Sequence, residues 1–247
     1  MPRKNVTTSR PAPAHRRRSS GASERANRLY DSLRNMIVRG QLAPGARIVE
    51  TEVAERFGIS RTPVRAAFQR LEREGYVIAS PTHQARMTVA PLTRDDVAEL
   101  LEIVGELEGL AARSAARLDD HKREKLAKEL AALNAEFRRA ASARGAQPGR
   151  LYELDEKFHR RYVEAGAGSR LQSLHDAVKP QAERYIRMYI ALLLDTVATA
   201  GTEHDVIVEA IRTGNSGAAQ RAVQTNWRHA ADRLVRAIEV MGEQGNW

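Results

Sequence analysis

The 247-residue chain has no cysteine, few aromatic residues and no long hydrophobic run. Without cysteine it can form neither a disulfide framework nor a thiolate metal site, and this composition suits a reducing cytoplasm. No apolar run approaches the ~20 residues that a membrane span needs, and the N-terminus lacks the apolar core of a signal peptide. We therefore expect a cytoplasmic protein with no membrane segment.

Excess positive charge is absent from the larger part of the chain. Residues 1–20 carry six basic and no acidic side chains, residues 21–92 carry 11 basic and seven acidic ones, and the residues after 92 sum to −1. A front part this basic indicates a polyanionic partner. We expect a disordered basic arm at 1–23, either a solubilising tail or a DNA tether, then a DNA-binding domain at 24–92 and a helical domain at 93–247.

The pattern of residues 24–92 predicts three short helices and a two-stranded hairpin. Apolar residues recur at helical spacing from Glu24 to Arg39, and "VETEVAERFG" predicts a second helix that buries Val53 and Phe57. A third helix follows Ser60, the expected cap, with Pro63 in its first turn. "YVIASPTHQARMTVAPL" then predicts two strands, which completes a winged helix-turn-helix.

The third helix carries the candidate DNA contacts. Val64, Phe68 and Leu71 share its inward face, whereas Arg61, Arg65 and Gln69 fall on another face. Arginine can contact guanine or phosphate, and glutamine can contact adenine. The hydroxyls of Ser60 and Thr62 can donate to phosphate beside the helix N-terminus.

The stretch "LAPGARIVETEVAERFGISRTPVRAAFQRLEREGYV" resembles the DNA-binding domain of GntR-type bacterial transcription regulators. The resemblance implies that Arg61, Thr62 and Arg65 contact operator DNA and that the wing tip enters the minor groove, usually through a glycine. This chain has Thr-His-Gln-Ala at residues 82–85 instead, and we assign the wing contact to His83.

Residues 93–247 have helical periodicity almost throughout, which predicts an all-helical antiparallel bundle. Thr93 is the expected cap of the first of these helices. The predicted helices lie near 94–118, 121–144, 148–166, 169–195, 201–213 and 216–242. The fold class is therefore mainly α: an N-terminal winged helix-turn-helix followed by a helical bundle.

A polar cluster is predicted inside this bundle. Asp155 and His159 stand at i and i+4, a spacing that suits either one shared cation or a surface ion pair. His204 lies on a second helix, and Asn226 and His229 lie on the last one. Three helices that converge on one polar centre would form a site.

These features resemble the FCD effector domain of the FadR subgroup, a helical bundle that encloses a divalent metal and a small-molecule cavity. The resemblance implies that one Asp and three His hold the metal, with Asn226 standing at the last His position. Either the Asn226 amide oxygen coordinates, or His229 replaces it, or water or ligand completes a three-residue site. The donors suit zinc, nickel or manganese.

The effector anchor is predicted from "AERYIRMYIALL". Many relatives place an arginine where this chain has Val104, so the anchor must come from elsewhere, and Arg184, Tyr185 and Tyr189 are the candidates. An alternative is equally compatible with this sequence: the tyrosines pack in the core and the arginine is solvated. Because arginine pairs with carboxylates, we expect a small organic acid as effector.

Three functions are compatible with these patterns. The first is a transcription regulator, a repressor, that binds an inverted-repeat DNA operator as a homodimer and responds to a metabolite. The second is a metal-dependent hydrolase with an appended nucleic-acid-binding domain, although no general base or oxyanion donor is evident. The third, a constitutive architectural DNA binder, would not need a buried polar cluster.

Overall fold

A computed structural model describes residues 15–79 and 86–245, including all side chains in these ranges except those of 15–22 and 195–198. The elements within these ranges are α1 (His15–Val38), β1 (Arg47–Val49), α2 (Glu50–Phe57), α3 (Arg61–Arg73), β2 (Val77–Ala79), β3 (Arg86–Val89), α4 (Arg94–Ala115), α5 (Asp120–Ser142), α6 (Pro148–Gly166), α7 (Ser169–Tyr189), a 3₁₀ segment (Ile190–Thr196), α8 (Val197–Arg212) and α9 (Ser216–Met241). This order confirms the predicted fold class. None of these helices has both the length and the apolarity that a membrane crossing requires.

Helix α3 packs against α1 and α2 through the face predicted to point inward. Val64, Phe68 and Leu71 are each at most 2% exposed. Pro63 lies in the first turn, where a helix has no use for the missing N–H. Ser60 occupies the N-cap position with an extended backbone, but its hydroxyl makes no capping hydrogen bond, so that part of the prediction is wrong.

The turn between α2 and α3 depends on Gly58. Its φ of +62° lies in the left-handed region, which side chains with a Cβ rarely adopt. The N–H of Gly58 bonds to the Glu55 carbonyl, and the N–H of Ile59 bonds to that of Ala54, so the end of α2 is capped by backbone alone. Phe57, just before this turn, is 37% exposed, which corrects the prediction that α2 buries it.

The sheet has three strands rather than the predicted two. β3 is central, with β1 and β2 antiparallel on either side. Ile48 pairs with Met87, and Val77 pairs with Val89. Three residues between a Pro-Gly turn and a helix are too few to show strand periodicity, which is why β1 was not predicted.

Helix α1 begins at His15, nine residues before the predicted start at Glu24. Residues 15–23, expected to belong to a disordered arm, are therefore helical. The last proline of that arm is Pro13, so no proline interrupts the longer helix. Residues 1–14 lie outside the described ranges.

The second half of the chain forms the predicted helical bundle, with α4 at its centre in contact with α6, α7 and α9. Thr93 caps α4 as predicted, because its Oγ1 accepts from the N–H of Asp96 at 3.3 Å. Val104 is fully buried in the core of the bundle. The predicted fourth helix of this domain is shorter than expected, since α7 ends at Tyr189 and a 3₁₀ segment follows.

Close packing of α6 on α4 requires a glycine at the end of α6. A Cβ on Gly166 would lie 2.1 Å from the carbonyl oxygen of Ala111 and 2.7 Å from the N–H nitrogen of Ala115. Both neighbours are backbone atoms of α4, which cannot move aside without breaking that helix. Gly166 therefore fixes how near α6, which carries Asp155 and His159, approaches α4.

Helix α7 joins the two halves of the chain. Gln181 Nε2 donates to the Glu74 carbonyl at 2.5 Å, and Arg184 donates to the Ala90 carbonyl at 2.7 Å. In addition, Arg34 of α1 donates to the Asp176 carbonyl at 3.4 Å. The winged helix-turn-helix is thus hydrogen-bonded to a helix of the bundle.

Candidate nucleic-acid interface and metal centre

The outward face of α3 presents the residues predicted to contact DNA. Arg61, Thr62, Arg65 and Gln69 are exposed on it, as is Glu72 nearer its C-terminal end, and Ser60 is exposed just before the helix. At 3.6 residues per turn the four helical positions fall within about 100° of arc. They start at the N-terminal end of α3, the end that approaches base edges in a helix-turn-helix.

Arg65 is oriented by an acid that the sequence analysis missed. Its Nε lies 2.8 Å from Oε2 of Glu50, whose side chain is 4% exposed, while that of Arg65 is 64% exposed. Glu50 begins α2, where the helix dipole stabilises negative charge. The ion pair fixes the stem of Arg65 and leaves most of its side chain accessible. Glu50 is one of two acids in the first turn of α2, and the sequence gave no signal that this one would contact α3.

The wing contact predicted at His83 lies outside the described residues. Strand β2 ends at Ala79, and β3, which pairs with it antiparallel, begins at Arg86. The two predicted strands of the hairpin that flank this segment are therefore confirmed. The contact itself stays a prediction.

Three of the predicted metal ligands come together in the helical bundle. One donor atom each of Asp155, His159 and His204 lies within 4.8 Å of the others. Oδ1 of Asp155 is 3.4 Å from Nε2 of His204 and 3.9 Å from Nε2 of His159. Both rings therefore turn the same nitrogen, Nε2, toward one carboxylate.

Hydrogen bonding fixes the tautomer of His204. Asn134 of α5 donates through Nδ2 to the carbonyl of Gly201 at 2.8 Å and to Oδ1 of Asp205 at 2.6 Å. Its Oδ1 must therefore accept, and it lies 3.1 Å from Nδ1 of His204. Because Nδ1 carries the proton of the neutral ring, Nε2 keeps its lone pair for a metal.

His159 is oriented in the same way by a carboxylate. Its Nδ1 lies 2.7 Å from Oε2 of Glu108, a fully buried residue of α4. A carboxylate accepts hydrogen bonds, so Nδ1 of His159 donates and Nε2 is left free toward Asp155. A ligand His held by a second acceptor is the usual arrangement around protein-bound metals.

The protonation states also suit a cation. Burial lowers the pKa of His204 and so favours its neutral, ligating form. Burial opposes the charge of Asp155, but the neighbouring His159 and His204 outweigh it and lower the pKa of Asp155 to about 2. Nε2 of His204 is buried and has no hydrogen-bond partner among the described residues. These donors fit a divalent metal, for which an unpartnered lone pair in a protein interior is a ready ligand.

Asn226 and His229 occupy different places, although both contact Glu203. Asn226 is buried and lines the same cavity as Asp155 and His159. Its Nδ2 donates to Oε2 of Glu203 at 2.7 Å, which leaves its Oδ1 as the atom available to a metal. His229 is half exposed, and its Nδ1 lies 2.8 Å from the other Glu203 oxygen. The structure does not bring His229 to the cluster, which argues against the alternative in which it replaces Asn226.

A cavity of about 70 Å³ adjoins the metal cluster. Its lining is mostly apolar, with four polar residues, and comprises Phe137, Tyr152, Asp155, His159, Ile186, Ile190, Leu193, Ala200, Asn226, Trp227, Ala230, Arg233 and Leu234. The cation in this set, Arg233, was not predicted. It stands seven residues after Asn226 on α9, so helical spacing alone would have placed both on one face.

The predicted effector residues of α7 do not line this cavity, so their assignment stays a prediction. Arg184 is buried and donates to Ala90 and Gln181. Tyr185 accepts from the Thr93 N–H at 3.0 Å and donates to Asp96, and Tyr189 donates to the Gly242 carbonyl. Their face of α7 packs on the interdomain connection and the C-terminus, whereas Ile186 faces the cavity.

Comparison with known proteins supports both halves of the resemblance. The family model for bacterial regulatory proteins of the gntR family matches residues 25–83, and the FCD domain model matches residues 99–229. The chain is 29% identical to an uncharacterized HTH-type transcriptional regulator, YdhC, of Bacillus subtilis, with 85% of this chain and 91% of that protein covered. It is 28% identical to a probable D-xylose utilization operon transcriptional repressor of Paenarthrobacter nicotinovorans, with 80% and 83% covered.

Solved structures have the same fold. E. coli McbR/YncC matches with a TM-score of 0.65 at 17% identity, covering 86% of this chain and 97% of that one. A putative GntR regulator from Rhodococcus matches with a TM-score of 0.63 at 22% identity, covering 86% and 98%.

The family matches set the hydrolase alternative aside, since proteins with this pair of domains regulate transcription. The three-helix domain with its exposed arginines and the bundle with its Asp-His-His cluster occupy the two matched ranges. The chain belongs to the GntR family of bacterial regulatory proteins, with an FCD domain, and is a DNA-binding transcription regulator rather than an enzyme.

Proposed function

We propose that this regulator is a metabolite-responsive repressor that binds an inverted-repeat DNA operator as a homodimer. The observation that carries the proposal is the preorganised centre, where two histidines present Nε2 lone pairs to Asp155 beside a cavity that contains Arg233. Two relatives support repression rather than activation. They are named as a probable repressor of a D-xylose utilization operon and a repressor of a gluconate operon. We propose that the protein acts in the cytoplasm, where its DNA lies.

For the DNA complex, we propose that α3 lies in the major groove. Arg61, Arg65 and Gln69 would read bases or phosphates, Ser60 and Thr62 would bind phosphate, and His83 would reach the minor groove from the wing. The exposure of the described side chains and the Glu50 ion pair of Arg65 support this assignment. Residues 24–92 would act as the DNA-binding domain, and residues 93–247 would bind the effector and dimerise.

For the metal, we propose that Asp155, His159 and His204 hold one divalent ion, with the Asn226 amide oxygen as a fourth ligand. Two imidazoles, a carboxylate and an amide suit zinc, nickel or manganese. When bound, the ion supplies a Lewis-acidic anchor for an anionic ligand. Glu203 supports the role of Asn226, because it accepts from the amide nitrogen and so orients the amide oxygen.

For the effector, we propose a small organic carboxylate bound between the metal centre and Arg233. Arg233 contacts Glu203 at 3.2 and 3.5 Å, distances long enough for a competing carboxylate to share the guanidinium. Ile186, Leu193 and Leu234 would contact the apolar part of the ligand. A preference of about 1–3 kcal/mol for one arrangement of the two recognition helices is sufficient to change operator affinity.

The test has three steps, performed on the full chain. Metal content is measured after purification without added metal or chelator, operator duplexes are selected from a random library, and fluorescence anisotropy then follows binding across a panel of small carboxylates. We expect a selected inverted repeat, bound metal, and at least one carboxylate that changes operator affinity. Arg233→Met should abolish the carboxylate response and keep DNA binding. A chain that selects no duplex over random DNA would refute the proposal.

A further inference from the structure

Glu108 of α4 is a fully buried carboxylate that contacts five other side chains. Its oxygens lie near the donor atoms of His159 (2.7 Å), Tyr162 (2.5 Å), His175 (3.0 Å), Lys179 (2.8 Å) and Trp227 (2.9 Å). These partners come from three different helices, α6, α7 and α9. Burial opposes its charge, but Lys179 and His159 outweigh that effect and hold the pKa of Glu108 well below its usual value. The group is thus an ionised centre in the middle of the bundle.

Two of the five partners lie on α7. His175 and Lys179 stand at i and i+4 and therefore on one face of the helix, and both reach the same oxygen, Oε1 of Glu108. The ammonium of Lys179 also lies 4.1 Å from the centre of the Trp227 ring. Separating a buried ion pair leaves an uncompensated charge in the interior, so α7 cannot move away from Glu108 cheaply.

The other oxygen of Glu108 contacts the metal centre. Oε2 accepts from Nδ1 of His159, the ring whose Nε2 faces Asp155. A metal on Nε2 requires the proton to stay on Nδ1, which locks this hydrogen bond and the orientation of the ring. The two oxygens of Glu108 therefore join the metal centre to α7.

The same helix carries the contacts to the DNA-binding domain. Gln181 bonds to the Glu74 carbonyl at the end of α3, and Arg184 bonds to the Ala90 carbonyl after β3. Lys179 and Gln181 are two residues apart in α7, about 3 Å along its axis, with Pro180 between them. Pro180 has no N–H for the Asp176 carbonyl, which accepts from Arg34 of α1 instead. A displacement of α7 at Lys179 is thus transmitted to the residues that follow the recognition helix.

We propose that Glu108 couples the metal centre to helix α7 through His175 and Lys179, and that α7 transmits the state of that centre to the DNA-binding domain. The inference rests on the proposed metal site. Glu108 is a positioning residue in this scheme, since it acts through His159 and α7 and touches neither DNA nor effector. The metal-free and metal-bound states differ in how firmly His159 holds Glu108, which gives the two states different α7 positions.

The test is hydrogen–deuterium exchange of the full chain with saturating Zn²⁺ alone or with chelator. In the wild type we expect Zn²⁺ to slow exchange at the metal centre in α6 and α8, and also in residues 174–185 of α7 and 28–38 of α1. The double variant Glu108→Gln/Lys179→Met removes both charges together and keeps an oxygen for His159. We expect it to retain the Zn²⁺ effect at the metal centre and to lose the effect in residues 28–38.

Two further variants make the test specific. Gln181→Ala leaves the Glu108 contacts intact and removes the bond to Glu74, whose carboxylate accepts from Tyr30 of α1. We therefore expect it to keep the Zn²⁺ effect in α7 and weaken the effect in α1. Lys128→Met changes an exposed lysine of α5 that pairs with Glu124 in a surface i, i+4 contact, and it should behave as wild type.

Slower exchange at the metal centre of the wild type without any change in residues 28–38 would overturn the coupling and leave the proposed metal site standing. An undiminished change in residues 28–38 of the folded double variant would also overturn it. If Zn²⁺ changed exchange nowhere in the wild type, the proposed metal function would fail first and the coupling with it.

Discussion

Replacing Asn134 by leucine should weaken metal binding without touching a ligand. In the metal-bound protein His204 must keep its proton on Nδ1, and leucine would leave that N–H buried without the acceptor that now lies 3.1 Å away. In metal-free protein the neutral ring can move its proton to Nε2, where a rotation of the Asp155 carboxylate, which lies 3.4 Å away without a hydrogen bond, would let it accept. The cost of an unsatisfied buried donor, about 1–3 kcal/mol, thus falls on the bound state alone. It corresponds to a metal Kd roughly 5- to 150-fold higher.

Isothermal titration with Zn²⁺ measures this directly, and thermal unfolding with and without chelator checks it independently. Asn134→Leu also removes the donor to the Gly201 carbonyl, so we expect some loss of stability in both conditions and an additional loss in metal. Arg138→Met is the matched control. Arg138 lies one turn after Asn134 on α5 and pairs with Asp205 of α8 rather than with a proposed metal ligand. A Zn²⁺ Kd for Asn134→Leu within threefold of wild type would refute the argument that hydrogen bonding fixes the tautomer.

Three other predictions follow from the same geometry. Arg65→Ala should weaken operator binding roughly 5- to 150-fold and lower the salt slope by about one while the fold stays intact, and it should lower the melting temperature, because the buried Glu50 carboxylate loses its cation; anisotropy at several salt concentrations tests this, and unchanged affinity would contradict it. Asn226→His should lower the Zn²⁺ Kd about tenfold or more by adding an imidazole, and a Kd equal to wild type in titration calorimetry would exclude position 226 as a ligand. Burial depresses the pKa of His204 below its unfolded value of about 6.5, so this residue costs no stability above that pH and an increasing amount as the pH falls below it, because only the unfolded chain takes up the proton. In chelator, His204→Phe should therefore lose less unfolding free energy than wild type between pH 7 and pH 5 in urea titrations, and equal losses would show that His204 does not titrate in this way.

Local patterns predicted most of the helices. The helical spacing of apolar residues in α3 predicted which of its faces is buried, and Thr93 predicted the start of α4. The errors lie where local signals are short or where neighbours decide. Strand β1 has only three residues, and Phe57 was assigned to the core because it is apolar, although it is 37% exposed.

The candidate site was predicted in part, for a physical reason. Asp155 and His159 share a helix, so spacing linked them, and the helical pattern placed His204 on a second helix of the same bundle. Glu108 and Asn134 orient the two histidines from other helices, far away in the chain, and a single polar residue in an apolar face does not indicate what it will meet. Arg184 lies on the face of α7 toward the interdomain connection, whereas Ile186 lies on the face toward the cavity. Both faces of this helix are buried, and its sequence alone cannot distinguish them.

The distribution of buried polar residues bears on whether the bundle serves only as an architectural spacer. Those of the bundle are Glu108, Asn134, His159, His175, Lys179, Gln181, Arg184, His204 and Asn226. Each costs desolvation free energy that a well-packed apolar residue would not, and buried ion pairs are often no more stable than apolar replacements. Most of them contact the metal cluster or Glu108, and Gln181 and Arg184 contact the DNA-binding domain. A spacer would gain nothing from this arrangement, whereas a domain that must bind an ion and communicate with a recognition helix needs polar groups at both places and a path between them.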